Sequence, residues 1–376
     1  MTSPGLARVH RWVALGLGPV VVAMGLTGAA LVFREELTAL LTPAVKVAGS
    51  PVAPGQYARI LAAAERLEPA ARSMDIVPAK RPDRAAQVVV HAAGTEHYLF
   101  VDPHDGTVVA DGERQWLPFA TLYELHRRLM LGAPGEYAVG IAGFALAFLG
   151  LSGLVMWWPR KLKQAFRVRW DGNRLAVSYD LHRCAGAAFA LLLVLNAIIG
   201  ITMTFDEASV ALVNRVLGRS SPLPPPASSN AVDSRKPLDE IVAAADRALP
   251  GGRVVRIMLR DGNAPVVVRK RMPADNDTHG ANRIYLDAAS ATVVGMSPLT
   301  AQPPGNAMFE WTYPLHTGTL VGGAYRVLLV FAGCVPLLSL ITGLIVWRSK
   351  AGRRAPAKRG AGIRPGSAAS TSRGIP

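Results

Sequence analysis

The sequence predicts a membrane α-helical protein: four transmembrane helices in two parallel repeats, with two small α+β domains outside the bilayer. Three observations predict it. Of the 376 residues 50% are hydrophobic, and the apolar ones gather into four blocks at 12–33, 136–158, 182–205 and 324–347. Basic residues cluster on one side of those blocks. The order of histidines, glycines and flanking charges in the first half returns in the second.

Each block is about 22–25 residues long, enough to cross a hydrocarbon core ~30 Å thick at ~1.5 Å per residue. Charged residues are nearly absent within the blocks, with Glu136 and Arg326 at their edges. The first block follows Arg8 and Arg11, as a signal peptide would. It runs on into Phe33-Arg34-Glu35-Glu36 rather than a small-residue cleavage site, so an uncleaved anchor is expected.

The net charge of +15 sits in three places. Arg8 and Arg11 precede the first block. Arg160, Lys161, Lys163, Arg167, Arg169 and Arg174 lie between the second and third. Arg348, Lys350, Arg353, Arg354, Lys358, Arg359, Arg364 and Arg373 follow the fourth. With four spans all three fall on one side, which the positive-inside rule makes cytoplasmic. The expected order is then 1–33 as cytoplasmic N-terminus and first span, 34–135 outside, 136–158 as second span and 159–181 as basic cytoplasmic loop. After it come 182–205 as third span, 206–323 outside, 324–347 as fourth span and 348–376 as a disordered basic cytoplasmic tail. Basic residues that flank spans set topology and touch anionic lipid of the bilayer, so no nucleic acid is expected as a partner. The two cysteines, Cys184 and Cys334, lie inside predicted spans, so neither outside segment can form a disulfide.

The spans match in pairs. The first begins His10-Arg11 and ends at Gly28, with Phe33-Arg34-Glu35 after it; the third begins His182-Arg183 and ends at Gly200, with Phe205-Asp206-Glu207 after it. Leu125-His126 precedes the second, which ends Ser152-Gly153-Leu154 before Trp157-Trp158. Leu315-His316 precedes the fourth, which ends Thr342-Gly343-Leu344 before Trp347. Both halves start inside, so the copies are parallel and related by a pseudo-two-fold axis along the membrane normal.

The outside segments follow one plan. Helical spacing over Tyr57–Leu67 precedes alternating runs at Gln87–His91, Tyr98–Val101 and Thr107–Val109, with Asp102-Pro103-His104-Asp105-Gly106 as a turn. In the second segment a helix over Leu238–Leu249 precedes strands at Val254–Leu259, Val266–Lys270, Arg283–Leu286 and Thr292–Val294. Ser220–Ser229, with its prolines, reads as a linker.

Eight histidines divide into two sets. His91, His97, His104 and His279 fall on outside strands or turns and read as surface residues. His10, His126, His182 and His316 fall at matched positions beside the spans. A repeat axis through the bundle pairs His10 with His182 near the cytoplasmic face and His126 with His316 near the outer face. Each pair can ligate one planar haem from both sides, since neutral imidazole is a good iron ligand. Bis-histidine ligation leaves no open iron position and suits electron transfer. Arg11, Arg127 and Arg183 directly follow three of these histidines, where they can pair with haem propionates or with lipid headgroups. Thr317 follows the fourth, with Arg326 as an alternative partner. Gly25, Gly28, Gly140, Gly143, Gly150, Gly153, Gly186, Gly200, Gly333 and Gly343 allow close approach of helices or of a flat macrocycle. Trp116, Tyr123, Trp311 and Tyr313 either contact a ligand near the outer pair or belong to the interfacial belt. Arg34 to Glu36, Asp206 and Glu207, at the outer ends of spans, either shape an outer binding site or are ordinary interface residues, the second being the expected reading.

Other chemistries lack their motifs. There is no Cys-x-x-Cys-His for covalent haem, no close His/Cys cluster for zinc, and no P-loop or Gly-x-Gly-x-x-Gly after a strand.

Val9-His10-Arg11-Trp12 with Gly25-Leu26-Thr27-Gly28, Leu125-His126-Arg127, Trp157-Trp158-Pro159-Arg160, Asp180-Leu181-His182-Arg183 and Pro314-Leu315-His316-Thr317-Gly318 resemble the motifs of the PepSY-associated transmembrane family. The resemblance covers nearly the whole chain except the basic tail, and the outside segments resemble PepSY units. It implies the bacterial inner membrane, two b-type haems per chain, and reduction of periplasmic ferric chelates such as siderophores. A quinol or a cytoplasmic reductase would be the electron donor. Two rivals stand beside it: a quinol-linked cytochrome with another periplasmic acceptor, and a non-enzymatic PepSY binding or protease-modulating module anchored by four helices. Two departures from the family pattern are Asn196-Ala197-Ile198-Ile199-Gly200, in place of an Ala-Leu-Thr-Gly-like stretch, and Arg348 in place of a second tryptophan. Neither is expected to touch the four histidines.

Overall fold

The computed structural model describes residues 4–41, 45–49, 54–92, 95–113, 119–158, 165–218, 235–273, 275 and 280–352. Helix α1 (Pro4–Leu31) is followed by the short α2 (Arg34–Leu41), whose Glu35 and Glu36 occupy its positive first turn. After α3 (Gln56–Leu67) come strands β1 (Ser73–Val77), β2 (Ala86–Ala92), β3 (Thr95–Val101) and β4 (Val108–Glu113). A short α4 (Ala120–Arg128) then leads into the long α5 (Gly132–Trp157). The second half runs through α6 (Arg174–Thr204), α7 (Asp206–Val216), α8 (Leu238–Ala248) and strands β5 (Arg253–Leu259), β6 (Val266–Arg271), β7 (Asn282–Leu286) and β8 (Val293–Ser297). It closes with α9 (Pro304–Thr317) and α10 (Gly323–Gly352).

Four helices, α1, α5, α6 and α10, are long and apolar enough to cross a membrane. The two that begin each half start earlier than their apolar cores. Asn173 caps α6 by accepting from the Ala176 amide at 3.0 Å, and α1 is already helical at Pro4. His10 and His182 therefore lie inside helices rather than beside them. His126 and His316 sit on separate short helices, α4 and α9, that fold back at the heads of α5 and α10. Leu129 and Met130 make the first reversal with positive φ, and Gly318 with Gly322 make the second.

In the bundle α1 packs on α5 and α10, and α6 packs on the same two helices. The crossing of α1 and α10 is glycine on glycine: a Cβ on either Gly25 or Gly333 would lie 2.5 Å from the other's carbonyl oxygen. Small residues are what let two backbones approach so closely in an apolar medium.

The strands of the two segments between the long helices form one antiparallel sheet, ordered β4-β3-β2-β1-β5-β6-β7-β8. The order mirrors about the β1–β5 seam, where Met74, Asp75 and Ile76 pair with Leu259, Met258 and Ile257. Strand β1 is absent from the sequence expectation. Helices α3 and α8 cover one face, burying Ile60, Leu61, Ile241 and Val242 against Val88, Leu99, Val268 and Ile284. Fully burying side chains of this size contributes ~1.5–3 kcal/mol each. The α3 amides of Tyr57 and Ala58 take the Asp239 carboxylate of α8, at 2.8 Å for Ala58, which locks the two helices together. Ion pairs tie the sheet to the bundle at the end where His126 and His316 lie: Lys80 to Glu35 at 2.8 Å, and Arg283 of β7 to Glu310 of α9 at 2.8 Å. The expected linker at Ser220–Ser229, residues 159–164 of the basic loop, and the tail from 353 onward lie outside the described residues.

Candidate functional site

The four matched histidines fall into two sets at opposite ends of the bundle, and one set is in ring-to-ring reach. His126 and His316 face one another with ring centroids 6.1 Å apart and planes tilted by 46°. His10 and His182, at the far end of the bundle, lie within electrostatic reach of each other.

Each ring is seated on a glycine of a neighbouring long helix. His126 lies over Gly28 of α1, His10 over Gly153 of α5, His182 over Gly343 of α10 and His316 over Gly200 of α6. The tightest seat is Gly28, where a Cβ would come 2.9 Å from His126 Cε1. Three of the four glycines follow a hydroxyl residue that holds the ring. Thr27 Oγ1 is 2.9 Å from His126 Nδ1, and Ser152 Oγ is 2.7 Å from His10 Nδ1. His182 Nδ1 meets the Ser339 carbonyl at 2.9 Å and Thr342 Oγ1 at 3.2 Å. With Nδ1 engaged, Nε2 is the nitrogen left to a ligand.

The fourth seat differs. Ile199 precedes Gly200 where the others carry Ser or Thr, and His316 Nδ1 is buried without a hydrogen-bond partner. The departure at Asn196–Gly200 therefore does bear on a histidine, contrary to the sequence expectation. A hydroxyl one residue before the glycine reaches the ring; an isoleucine there cannot.

A cavity of about 380 Å³ lies at the His126–His316 pair, lined by both histidines and, at the same end of the bundle, by Arg34, Tyr123, Arg127 and Tyr313. Its deeper wall is apolar and small, with Gly28, Ala142, Ala197 and Gly200 among the residues, and it reaches inward to Val21, Leu146 and Leu193. Burial, reinforced by the facing His316, pushes the His126 pKa down to about 4. Burial lowers that of His316 as well. Both rings are thereby held as neutral imidazoles, the form that can donate a lone pair.

The expected arginines divide. Arg127 lines the cavity while its guanidinium holds Glu136 at 3.2 Å. Arg183 donates to the Arg167 carbonyl at 3.0 Å and stands 3.8 Å from Asp180, so it braces the end of α6. Arg11 stacks 5.9 Å from the Trp12 ring, with a buried Nε that has no partner. Arg326 does not line the cavity; it is paired with Glu36 and lies over Phe33.

Arg34, expected from the sequence to be an interface residue rather than part of an outer binding site, is brought beside the histidines. It donates to Tyr313 Oη at 2.7 Å, lies 5.4 Å from the Tyr123 ring centre and lines the cavity beside the outer histidines. Its sequence signal was its place just past Gly28, opposite a matched Asp206 that lines the same cavity. Tyr123 and Tyr313 join the site, Trp311 is half-exposed away from it, and Trp116 lies outside the described residues.

The remaining histidines stay apart from these pairs. His97 meets Glu68 and His104 meets Asp102, each at 2.7 Å, and His91 lies 3.8 Å from Asp75. His279 lies outside the described residues. Among the described residues no three His, Cys, Asp or Glu side chains gather into a metal site.

Comparison with curated proteins returns no match. A family model for the PepSY-associated TM region matches residues 7–350. That stretch takes in nearly all of the four long helices, all four matched histidines and the sheet, and the chain belongs to the PepSY-associated transmembrane family.

Proposed function

We propose that this protein is a di-haem reductase of the bacterial inner membrane, built from two parallel repeats, that passes electrons to ferric chelates on the side of the sheet. The observation that carries the reading is the facing pair His126–His316 in the wall of an apolar cavity.

The donor set fits haem better than a bare ion. Two imidazoles cannot complete the shell of a free transition metal, whereas a porphyrin iron needs only two axial ligands. Nitrogen–metal bonds of ~2 Å on either side of an iron set two imidazole centroids roughly 6 Å apart, close to the 6.1 Å between His126 and His316. Glycine and alanine on the cavity walls leave room for a flat ring. Bound there, b-type haem would supply one-electron transfer between its ferric and ferrous states.

The chain's own residues do the rest. His10 and His182 would supply the second pair of axial nitrogens, with Arg11 and Arg183 beside them. Arg34 and Arg127 put positive charge at the cavity wall, where propionates or an anionic chelate would be neutralised. Helix α1 rises roughly 27 Å from His10 to Gly28, so a two-site relay requires both rings to reach inward along the bundle, as the cavity does from His126 to Val21, Leu146 and Leu193. With the basic ends of the helices in the cytoplasm, the sheet faces the periplasm. The donor at the opposite end would be a quinol or a cytoplasmic reductase. A one-electron reduction converts ferric to ferrous iron, a less highly charged and softer acid that a hard-oxygen chelator holds more weakly.

The test is a reduced-minus-oxidised absorbance spectrum with haem quantitation on the purified protein and on His126→Ala and His182→Ala. Two b-type haems per chain, with about one lost in each variant, support the reading. No haem after expression with ample supply discards it in favour of a membrane-anchored binding protein. Rapid reoxidation of the reduced protein by a ferric siderophore supports ferric chelates as acceptor; inertness toward it points to another periplasmic acceptor.

A further inference from the structure

The three hydroxyl seats share a proton arrangement that the fourth lacks. Thr27 Oγ1 lies 2.6 Å from the Ala23 carbonyl, Ser152 Oγ 2.6 Å from that of Phe148, and Thr342 Oγ1 2.6 Å from that of Leu338. A hydroxyl has one proton, and a carbonyl can only accept, so each proton is committed to the helix behind it. Toward the histidine each oxygen is then purely an acceptor. Nδ1 of His126, His10 and His182 must carry the ring proton, and Nε2 keeps the lone pair. For His182 the Ser339 carbonyl at 2.9 Å forces the same tautomer independently.

A histidine whose Nδ1–H is hydrogen-bonded is a more basic ligand, fixed in ring orientation. It stabilises the higher charge of a ferric iron and so favours the oxidised state. The pair at the far end, His10 and His182, has this support on both rings. The outer pair has it on His126 alone, because Ile199 leaves the buried His316 Nδ1 without a partner.

We propose that Thr27, Ser152 and Thr342 are positioning residues that set the histidine tautomers, and that Ile199 at the fourth seat makes His316 the weaker axial donor. The outer site is thereby held at a higher reduction potential than the inner one. This rests on the di-haem reading and adds to it a direction: the order of potentials favours electrons moving toward the side of the sheet.

The experiment is a spectroelectrochemical titration of the haem-loaded full-length protein, with the two centres assigned by the His126→Ala and His182→Ala variants. The outer centre is expected to titrate at the higher potential. Ile199→Thr restores the missing acceptor, and is expected to lower the outer potential by at least a tenfold change in the oxidised-to-reduced ratio, about 59 mV for one electron. The inner centre should not move. Ile199→Val controls for the change in bulk and is expected to shift neither. Ser152→Ala, which removes the acceptor at His10 Nδ1, is expected to raise the inner potential, and Ser152→Thr to leave it in place. An outer centre already at the lower potential, or one unmoved by Ile199→Thr while haem content is normal, overturns this inference and leaves the di-haem reading standing. A wild-type chain that binds no haem overturns both.

Discussion

Gly28 and His126 are in contact so close that a single added carbon cannot be accommodated: a Cβ on Gly28 would sit 2.9 Å from His126 Cε1. The corresponding positions are looser, at 3.7 Å for Gly153 against His10 and 3.8 Å for Gly200 against His316. If His126 holds a haem as proposed, Gly28→Ala should displace the ring and cost that haem, while Gly153→Ala and Gly200→Ala keep near-normal haem content. Haem quantitation on the three variants checks this. Equal loss in all three would mean that the glycines serve helix packing in general rather than the seating of one ring.

The Gly25–Gly333 crossing makes a prediction about stability that does not depend on any ligand. Each Cβ would meet carbonyl oxygen of the facing backbone at 2.5 Å, and backbone cannot rotate away. Gly25→Ala or Gly333→Ala should force α1 and α10 apart, at a cost of ~1–3 kcal/mol for overpacking. Gly16 and Gly186 have nothing within 4 Å of an added Cβ, and both lie in long helices. Alanine at either should be neutral or stabilising by up to ~1 kcal/mol through helix propensity. Thermal unfolding in detergent, compared across the four variants, separates the two classes.

The parts legible from sequence were those with a local signature. Twenty consecutive apolar residues announce a span wherever they occur, and all four appear. The strands with alternating side chains appear too. Strand β1, Ser73–Val77, escaped because it is only five residues long, so the Ser-Met-Asp-Ile alternation is too brief to stand out, and its central Asp75 is buried rather than solvent-facing. Its partner β5 lies far along the chain, which no periodicity reveals. The pairing of His126 with His316 followed from matched positions, but the seats did not. Thr27 and His126 are 99 residues apart, and Ser152 and His10 are 142 apart, so only the packed bundle shows that each hydroxyl reaches a ring. For the same reason the Ile199 substitution looked remote from the histidines. Arg34 looked like one more interfacial charge until α9 brought Tyr313 to it.

Asp75 is buried at the β1–β5 seam, with Arg260 at 2.6 Å and Arg256 at 3.2 Å from its carboxylate. Both arginines come from the second half of the chain, so the carboxylate joins the two halves of the sheet. Asp75→Ala removes the acceptor but leaves two guanidinium groups that still reach solvent. The expected loss is ~1–3 kcal/mol rather than the larger penalty of a stranded buried charge. Asp83→Ala, which breaks an exposed pair with Arg81, should change nothing measurable. Hydrogen exchange at the seam amides should rise in the first variant only.

The three arginines near the outer end should rank in a definite order in how much they hold a ligand. Arg34 lines the cavity, and its hydrogen bond to Tyr313 aims it there. Arg127 also lines the cavity but shares its charge with Glu136. Arg326 is paired with Glu36 outside it. If the bound group presents carboxylates at the cavity wall, Arg34→Ala forfeits a charge-assisted hydrogen bond, ~1.5–3 kcal/mol or roughly tenfold to a hundredfold in retention. Arg127→Ala should cost less, because Glu136 already offsets it, and Arg326→Ala least of all. Arg34→Lys keeps the charge but loses the planar fork, and should fall between wild type and Arg34→Ala. The rate of haem transfer to excess apomyoglobin gives the ranking directly. An order with Arg326 first would mean that the α2–α10 clamp, rather than charge at the cavity wall, governs retention.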